Sequence, residues 1–354
     1  MIFIETTVNI TMAEFLNPPK LQFLNKLLPC EPNKVQSKAI LPQLLAQVNI
    51  FNCGGIAIAL CNLHTILDAC SINAFLKTWT AICREKRDEI SWPDFSSPSS
   101  LFPPKTSISC VRAGVLNISS SKVEAKCTIA RFLFDNQAIN DLRDEAKDGE
   151  TTPNPTRYQA LSAFVSKHLI LACRPESGES VRPAVLLHVL DMRRRMSDSL
   201  CENSIGNLLW PAVEFCDKVN ENIELKGLVK SLRDNIGKHS NEFFARVQCD
   251  PNFLWSDEAA ELMLEGMVVE RPIAFVFTSW CNMGFNELNF GLGKPLWIGL
   301  RGGNQETIPN SVVFVDTREG IEAWLTMQEQ HMTNLEKDEE FLRFAVPNPN
   351  VPSI

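Results

Sequence analysis

Short apolar runs separated by breakers fill the first third of the chain, and the period of each run predicts its element. Ile2 to Ile10 alternates as a strand, and Thr11-Met12-Ala13-Glu14-Phe15-Leu16 reads as a short helix stopped by Pro18-Pro19. Gln43 to Phe51 predicts a second strand. After Gly54-Gly55, Ile56 to Cys61 is apolar on both faces, the pattern of a strand buried within a sheet. It continues through Asn62-Leu63-His64-Thr65-Ile66-Leu67-Asp68 into a helix capped by Asp68 or Ser71. That helix sets Ile72, Phe75, Leu76, Trp79 and Ile82 on one face and closes with Arg84, Lys86 and Arg87, suited to its dipole. Residues 91–109 hold four prolines and seven serines without periodicity and predict an interdomain crossover.

Beyond the crossover, strands are predicted at Lys126 to Phe134, Val185 to Met192, Ile273 to Ser279 and Ser311 to Asp316. Helices are predicted at Ile139 to Lys147, Thr156 to Cys173, Glu221 to Phe244 and Asp257 to Glu265, with an acidic terminal helix from Met327 to Phe344. No internal repeat is visible. The mixture is α/β, and 354 residues suggest two domains: 1–92, a linker at 93–120, and 121–354.

Charge and cysteine usage narrow the class. The net charge is −8, residues 1–100 balance eight basic against eight acidic groups, and 316–340 alone hold two basic and eight acidic. A surface that tracks phosphates needs the opposite sign, so nucleic acid is disfavoured as a partner. Twelve cysteines lack any Cys-x-x-Cys pair and several lie in apolar runs, which points to free thiols in a reducing compartment. The N-terminus has no basic region and carries Glu5, unlike a signal peptide. The most apolar stretch, Val48 to Leu63, is broken by asparagines and glycines and is too short to span a membrane. These features predict a soluble, cytoplasmic protein with no membrane contact.

His64 is the most informative single residue, because it leaves a strand and precedes a helix N-terminus, where backbone N–H groups favour developing negative charge. Asp68, four positions on, can orient the imidazole, cap the helix or pair with a distant arginine. Two residues at one spacing carry little information alone, and a capped helix beside a buried histidine is the bland alternative. As metal ligands the pair lacks a third partner nearby, and no clustered His/Cys set, His-Glu-x-x-His or Gly-x-Ser-x-Gly occurs, so no metal site is expected. Phe290-Gly291-Leu292-Gly293-Lys294-Pro295 fails both phosphate-loop patterns, since Leu288, Pro295 and Leu296 stand where glycine or a hydroxyl is required. Arg193-Arg194-Arg195 suits either a phosphate or the salt bridges of a strand end.

Taken in order, these segments resemble the plant BAHD acyl-CoA-dependent acyltransferases. Gln47 to Gly55 leading into His64-Thr65-Ile66-Leu67-Asp68-Ala69 is similar to that family's HxxxD region. Asp191 to Met196 followed by Ile205-Gly206-Asn207 resembles its internal Arg-x-Arg and Gly-Asn segment. Thr278-Ser279-Trp280 precedes Asn289-Phe290-Gly291-Leu292-Gly293-Lys294-Pro295, the counterpart of the family's DFGWG motif, and Gly320 to Leu325 resembles the segment before its last helix. The resemblance covers the whole chain and is closest to the alkaloid and alcohol O-acetyltransferase branch.

The resemblance implies a two-domain chloramphenicol acetyltransferase-like α/β fold with mixed sheets and a solvent channel between the domains. It implies a monomer with no permanently bound cofactor, using acetyl-CoA or another acyl-CoA as co-substrate and a small-molecule alcohol or amine as acceptor. His64 is then the catalytic general base, and Asp68 holds local geometry. Gly206, Asn207, Ser279 and Trp280 match the CoA side, and Asn289, Gly291 and Gly293 keep the channel's shape. Two departures stand in the last motif: Asn289 where the family has Asp, and Leu292 where it has Trp. The family Asp pairs with an arginine, here Arg193 or Arg195, so the amide predicts an arginine without its counter-charge and lowered stability. The family also carries a strand–helix–strand stretch with a Tyr-Pro-Leu-Ala-Gly-Arg motif ahead of Ile2. Its lack here predicts an N-terminally truncated first domain, and with it the alternative of a catalytically impaired homologue that only binds.

Overall fold

The computed structural model describes residues 2–30, 42–103, 126–149, 151–175, 182–196, 199–216, 223–239, 241–256, 258–259, 272–302 and 310–351. Strands β1 (Ile2–Val8), β2 (Leu44–Phe51) and β3 (Ile56–Asn62) form a three-stranded sheet in that order. β1 runs parallel to β2, with Ile2 opposite Leu45, and β3 returns antiparallel through the Asn52-Cys53-Gly54-Gly55 hairpin. Gly54 sits at φ +79°, a turn conformation that glycine adopts without strain. The expectation of a fully buried β3 is corrected: among the described strands it forms the sheet's edge, and its residues are half-exposed rather than enclosed. An apolar run reads the same at an edge as at the centre, because what covers it comes from distant sequence.

Between β1 and β2, helix α1 (Met12–Leu16) starts on a reciprocal capping box of Thr11 and Glu14 and stops before Pro18-Pro19. A 3-10 helix, Leu21–Leu27, follows. Helix α2 (Ala69–Cys83) opens on Asp68, whose carboxylate accepts the Ser71 N–H, so Asp68 rather than Ser71 is the cap. Where the crossover is expected, the Asp94 carboxylate accepts the Ser96 and Ser97 N–H groups at the start of helix α3 (Ser96–Leu101), and 104–125 lie outside the described residues.

The second sheet has seven strands in the order β10-β4-β9-β8-β7-β5-β6. These are β4 (Cys127–Asp135), β5 (Ala184–Asp191), β6 (Leu209–Cys216), β7 (Ile273–Ser279), β8 (Ser311–Asp316), β9 (Gly320–Gln328) and β10 (Val346–Pro347). β5, β7 and β8 are mutually parallel and the other pairings antiparallel, so the sheet is mixed, as the α/β expectation with mixed sheets requires. Helices α4 (Asn136–Glu145), α5 (Arg157–Ala172), α6 (Leu225–Lys238), α7 (Asn241–Cys249), α8 (Glu329–Leu335) and α9 (Glu339–Leu342) are the remaining described α-helices.

β5 shows why this sheet is central. Ala184 and Leu186 face one hydrophobic cluster while Val185 and Leu187 face another. The first cluster packs Phe132, Phe134, Phe275, Phe277 and Phe314 under Leu161, Phe164 and Phe341. Each fully buried side chain of this size contributes roughly 1.5–3 kcal/mol. The second cluster sets Trp210 against Phe243 and Phe244. A third joins the two sheets: Phe15, Leu16, Leu24 and Phe51 meet Val315, Trp324 and Val351. The C-terminal segment is laced to the same place, with Asn348 N–H donating to the Arg131 carbonyl (2.8 Å), Asn348 Nδ2 to the Pro19 carbonyl (3.1 Å) and Val351 N–H to the Leu16 carbonyl (3.2 Å).

Two other expectations are corrected, and a third is not reached. The single helix from Glu221 to Phe244 is two helices, α6 and α7, because α6 closes at His239 with a tightened bond to the Ile236 carbonyl. The terminal helix from Met327 is preceded by β9 and split into α8 and α9. The Asp338 side chain competes with helix continuation by accepting the Phe341 N–H and starting a new helix. The predicted helix from Asp257 to Glu265 falls almost wholly outside the described residues.

Candidate active site

His64 stands on the six-residue turn, 63–68, between β3 and α2. The Ile66 and Leu67 N–H groups both donate to the Leu63 carbonyl (2.9 and 3.1 Å), which turns the chain and leaves His64, Thr65 and Ile66 outward and exposed. Among the described residues the His64 ring has no hydrogen-bond partner. A capped helix with a buried histidine therefore fits only in part: the helix is capped, but the histidine is open.

Asp68 ends the turn as the centre of a buried knot. Its side chain and that of Arg193 are each 1 % exposed. Arg193 donates to both Asp68 oxygens, Nη1 at 2.8 Å and Nη2 at 3.1 Å, a bidentate geometry. The same carboxylate accepts the Ser71 N–H (2.8 Å) and the Leu208 N–H (2.9 Å). Asp191 adds a second counter-charge at 3.1 Å, and the Ser204 carbonyl accepts from Arg193 Nε. Burial alone would push the guanidinium down, but the two carboxylates override it and its pKa is raised. Of the three roles open to Asp68 from sequence, it performs two: it caps α2 and pairs with a distant arginine.

Gly206 belongs to this knot. Its carbonyl accepts from the Asp68 N–H (3.3 Å), Ser71 Oγ (2.9 Å) and Arg193 Nη2 (3.3 Å), and its N–H donates to Ser71 Oγ (3.0 Å). Asn207 beside it is exposed. Cys70, in the first turn of α2, lies 3.3 Å from Asp191, and burial together with that carboxylate pushes its thiol up to about 12. It is an inert thiol in a structural position.

β5, β7 and β8 run parallel, so Asp191, Ser279 and Asp316 share one end of the sheet. Ser279 Oγ accepts the Cys281 N–H, and Trp280 packs on Phe285 with ring centroids 5.2 Å apart. The loop after Trp280 is fastened from three sides: Asn73 of α2 donates to the Met283 carbonyl (2.6 Å), exposed Arg194 to the Asn282 carbonyl (3.2 Å), and Asn286 to the Asp316 carbonyl (2.7 Å). Asn73, Ser71 and Asp191 thus belong to the site's frame. Ser71 had a signal as an alternative helix cap and Asp191 as the start of the Arg-x-Arg segment, while nothing singled out Asn73.

Arg195 and Asn289 lie outside this assembly. Arg195 is placed over the Phe244 ring at 6.0 Å, with its pKa lowered by burial. Asn289 Oδ1 accepts the Gly291 and Gly293 N–H groups (2.8 and 3.1 Å), and those glycines hold φ of 91° and 93°. The expected partnership of Asn289 with Arg193 or Arg195 is corrected: Asn289 faces the two glycine N–H groups, and Arg193 has Asp68 and Asp191 instead. The loop docks on α2 through Phe290, edge-to-face on Trp79 at 5.0 Å, while Leu292 is 71 % exposed. Trp79 lies eleven residues beyond Asp68, roughly 16 Å along the helix, so this loop attaches at the opposite end of α2 from His64.

Among the described residues no group of three His, Cys, Asp or Glu side chains is arranged to hold a metal, and no helix is long and apolar enough to cross a membrane. The eleven described cysteines are free thiols.

Comparison with known proteins places this architecture. The Transferase family model matches residues 1–342. Akuammiline synthase 2 of Alstonia scholaris is 32% identical, the match covering 99% of this chain and 78% of that protein. Epi-neemfruitin B 7-O-acetyltransferase of Melia azedarach is 34% identical, over 98% and 77%. Among solved structures, vinorine synthase superposes with a TM-score of 0.72 at 27% identity, covering 96% of this chain and 75% of that one. F. graminearum TRI101, crystallised with coenzyme A and T-2 mycotoxin, superposes at 0.76 with 18% identity, over 98% and 82%, a likeness of fold. The mixed α/β architecture is accordingly of the chloramphenicol acetyltransferase-like kind. With a family model across nearly its whole length and relatives above 30% identity, the chain belongs to the plant BAHD acyl-CoA-dependent acyltransferase family.

Proposed function

We propose that this chain transfers an acyl group, acetyl in the first instance, from a CoA thioester to a hydroxyl of a plant specialised metabolite, with His64 as general base. The names of its relatives support this choice of reaction, since they include limonoid O-acetyltransferases and stemmadenine O-acetyltransferase. The observation that carries the role of His64 is its setting: an exposed imidazole on a turn whose far end is anchored in the Asp68–Arg193 knot. An imidazole is the side chain best suited to accept a proton near neutral pH.

In the proposed step, one imidazole nitrogen takes the proton of the acceptor hydroxyl as the oxygen attacks the thioester carbonyl. The tetrahedral adduct collapses to the ester and expels CoA thiolate, which recovers the proton from the imidazolium. No acyl-enzyme forms and no resident cofactor is needed. Asp68, Arg193 and Gly206 hold the turn, while Asn207, Ser279 and Trp280 contribute to the CoA side. Asn289, Gly291 and Gly293 shape the loop docked at the far end of α2. The protein works as a cytoplasmic monomer with domains at 1–92 and 121–354 joined through 93–120.

The test is CoA thiol release from acetyl-CoA with a panel of alcohols, comparing parent with His64→Ala. Removal of a general base is expected to lower the rate by about 10²–10⁴-fold with the fold retained. Equal rates would overturn the assignment of His64, and no acceptor-dependent release by the parent would favour a chain that binds without turnover.

A further inference from the structure

The turn that carries His64 is fixed at its far end by the Asp68 knot, and its near end needs a separate account. Asn62 is the last residue of β3, paired with Leu44, and the next N–H, that of Leu63, donates to the Gln43 carbonyl (3.1 Å). From this rigid base the Asn62 side chain reaches across the turn, its Nδ2 donating to the Leu67 carbonyl at 2.8 Å. That carbonyl has lost its customary partner. In a helix extended by one residue it would accept the Ser71 N–H, but Asp68 Oδ1 takes that donor at 2.8 Å. Asn62 supplies the missing bond and brackets residues 63–67 between strand and helix. Among the described residues, no other side chain hydrogen-bonds to the backbone of this turn.

We propose that Asn62 is a positioning residue for the His64 imidazole, its amide clasping the turn so that the ring leaves the backbone in one fixed direction. The proposal rests on reading His64 as the base. Without the clasp the turn keeps its two bonds to the Leu63 carbonyl but can pivot about Asp68. A displacement of about 1 Å at a catalytic group can cost on the order of a hundredfold in rate. Acyl-CoA binding, which does not depend on the direction of the ring, is expected to change little.

The test uses Asn62→Ala and Asn62→Asp, the second an isostere that has no N–H to offer the carbonyl at neutral pH. Both are expected to lower kcat by about tenfold to a hundredfold while KM for acetyl-CoA stays within about threefold. The accompanying readout is the histidine side-chain spectrum of protein labelled with ¹⁵N-histidine, the His64 signal being assigned through His64→Ala. That signal is expected to shift or broaden in both variants while the other four histidines stay unchanged. If the parent proves inactive, the reading of His64 as base fails, and the spectrum alone decides whether Asn62 holds the ring. An unmoved His64 signal in a folded variant, or kcat within twofold of the parent in both, would overturn the proposal. Should Asn62→Ala fail to fold, Asn62→Asp carries the test.

Discussion

Replacing Asp68 by alanine strips four bonds from one buried point. The carboxylate accepts from Arg193 Nη1 and Nη2, from the Ser71 N–H and from the Leu208 N–H, all within 3.1 Å. Breaking a buried ion pair from one side costs about 3–5 kcal/mol, and losing a helix cap costs about 1 kcal/mol. Two features hold the sum down. Asp191 remains 3.1 Å from Arg193 as a counter-charge, and the guanidinium keeps the Ser204 and Gly206 carbonyls. We therefore expect Asp68→Ala to cost about 4 kcal/mol in total. Urea unfolding at pH 7, followed by tryptophan fluorescence, measures this. The same experiment on Arg193→Met and on the double variant is expected to give a coupling energy of about 2–3 kcal/mol, because each partner's loss is worst while the other stays buried. A cost below about 1 kcal/mol, or strictly additive single effects, would refute the reasoning that the knot is a cooperative buried pair.

Burial pushes Glu214 up to about 7, so the folded state prefers its protonated form, and the stability tied to that proton is lost as pH rises through 7. Glu214→Gln removes this loss, and its stability advantage over the parent is expected to grow by about 2–3 kcal/mol between pH 5 and pH 8. Urea midpoints at the two values decide it, and a constant difference would show that Glu214 is not protonated in the fold. His188, 4.0 Å from Glu214 and pushed down to about 3 by burial, acts with the opposite sign below pH 6.5 and is common to both proteins. Asn289→Asp is expected to leave stability within about 1 kcal/mol of the parent, since its partners are two backbone N–H groups rather than an arginine, whereas an unpaired arginine would give a larger gain. At Gly320, a Cβ would lie 2.0 Å from the Phe134 carbonyl oxygen on the neighbouring strand, so Gly320→Ala is expected to lower stability by about 3 kcal/mol or more, read by thermal melting.

Period and capping chemistry made α1, α2, α5 and seven of the ten described strands readable from the chain, because each combines a regular apolar pattern with a local stop. β6 and β9 escaped for opposite reasons. β6 contains Pro211, which argues against a strand until β6 is seen at the sheet's edge, where a missing N–H is tolerated. β9 is buried almost throughout and so lacks alternation. Its one charged residue, Glu322, looks solvent-facing in sequence but accepts from the Trp297 and Trp324 indoles near Arg131. From local pattern alone the candidate site was legible as far as His64 and Asp68, which sit on a turn; the resemblance added Arg193 and Gly206 but paired Asn289 with Arg193 or Arg195. Arg193, Gly206 and Asn73 reach it from more than a hundred residues away or through partners that far off, and no local pattern encodes which arginine a buried carboxylate will meet.

The lacing of the C-terminal segment onto the start of the fold sets a timetable for synthesis. Asn348 grips the carbonyl of Pro19 across 329 positions, and Val351 completes the apolar cluster that covers Phe15, Leu16 and Phe51. At about 5–20 residues per second, a ribosome needs roughly 16 s to a minute to deliver that partner. For that interval the apolar face of α1 waits without its cover on a chain already hundreds of residues long. The layer bearing His64 is therefore made early and finished last, and its yield in a cell depends on how well the nascent chain is shielded until residue 351 emerges.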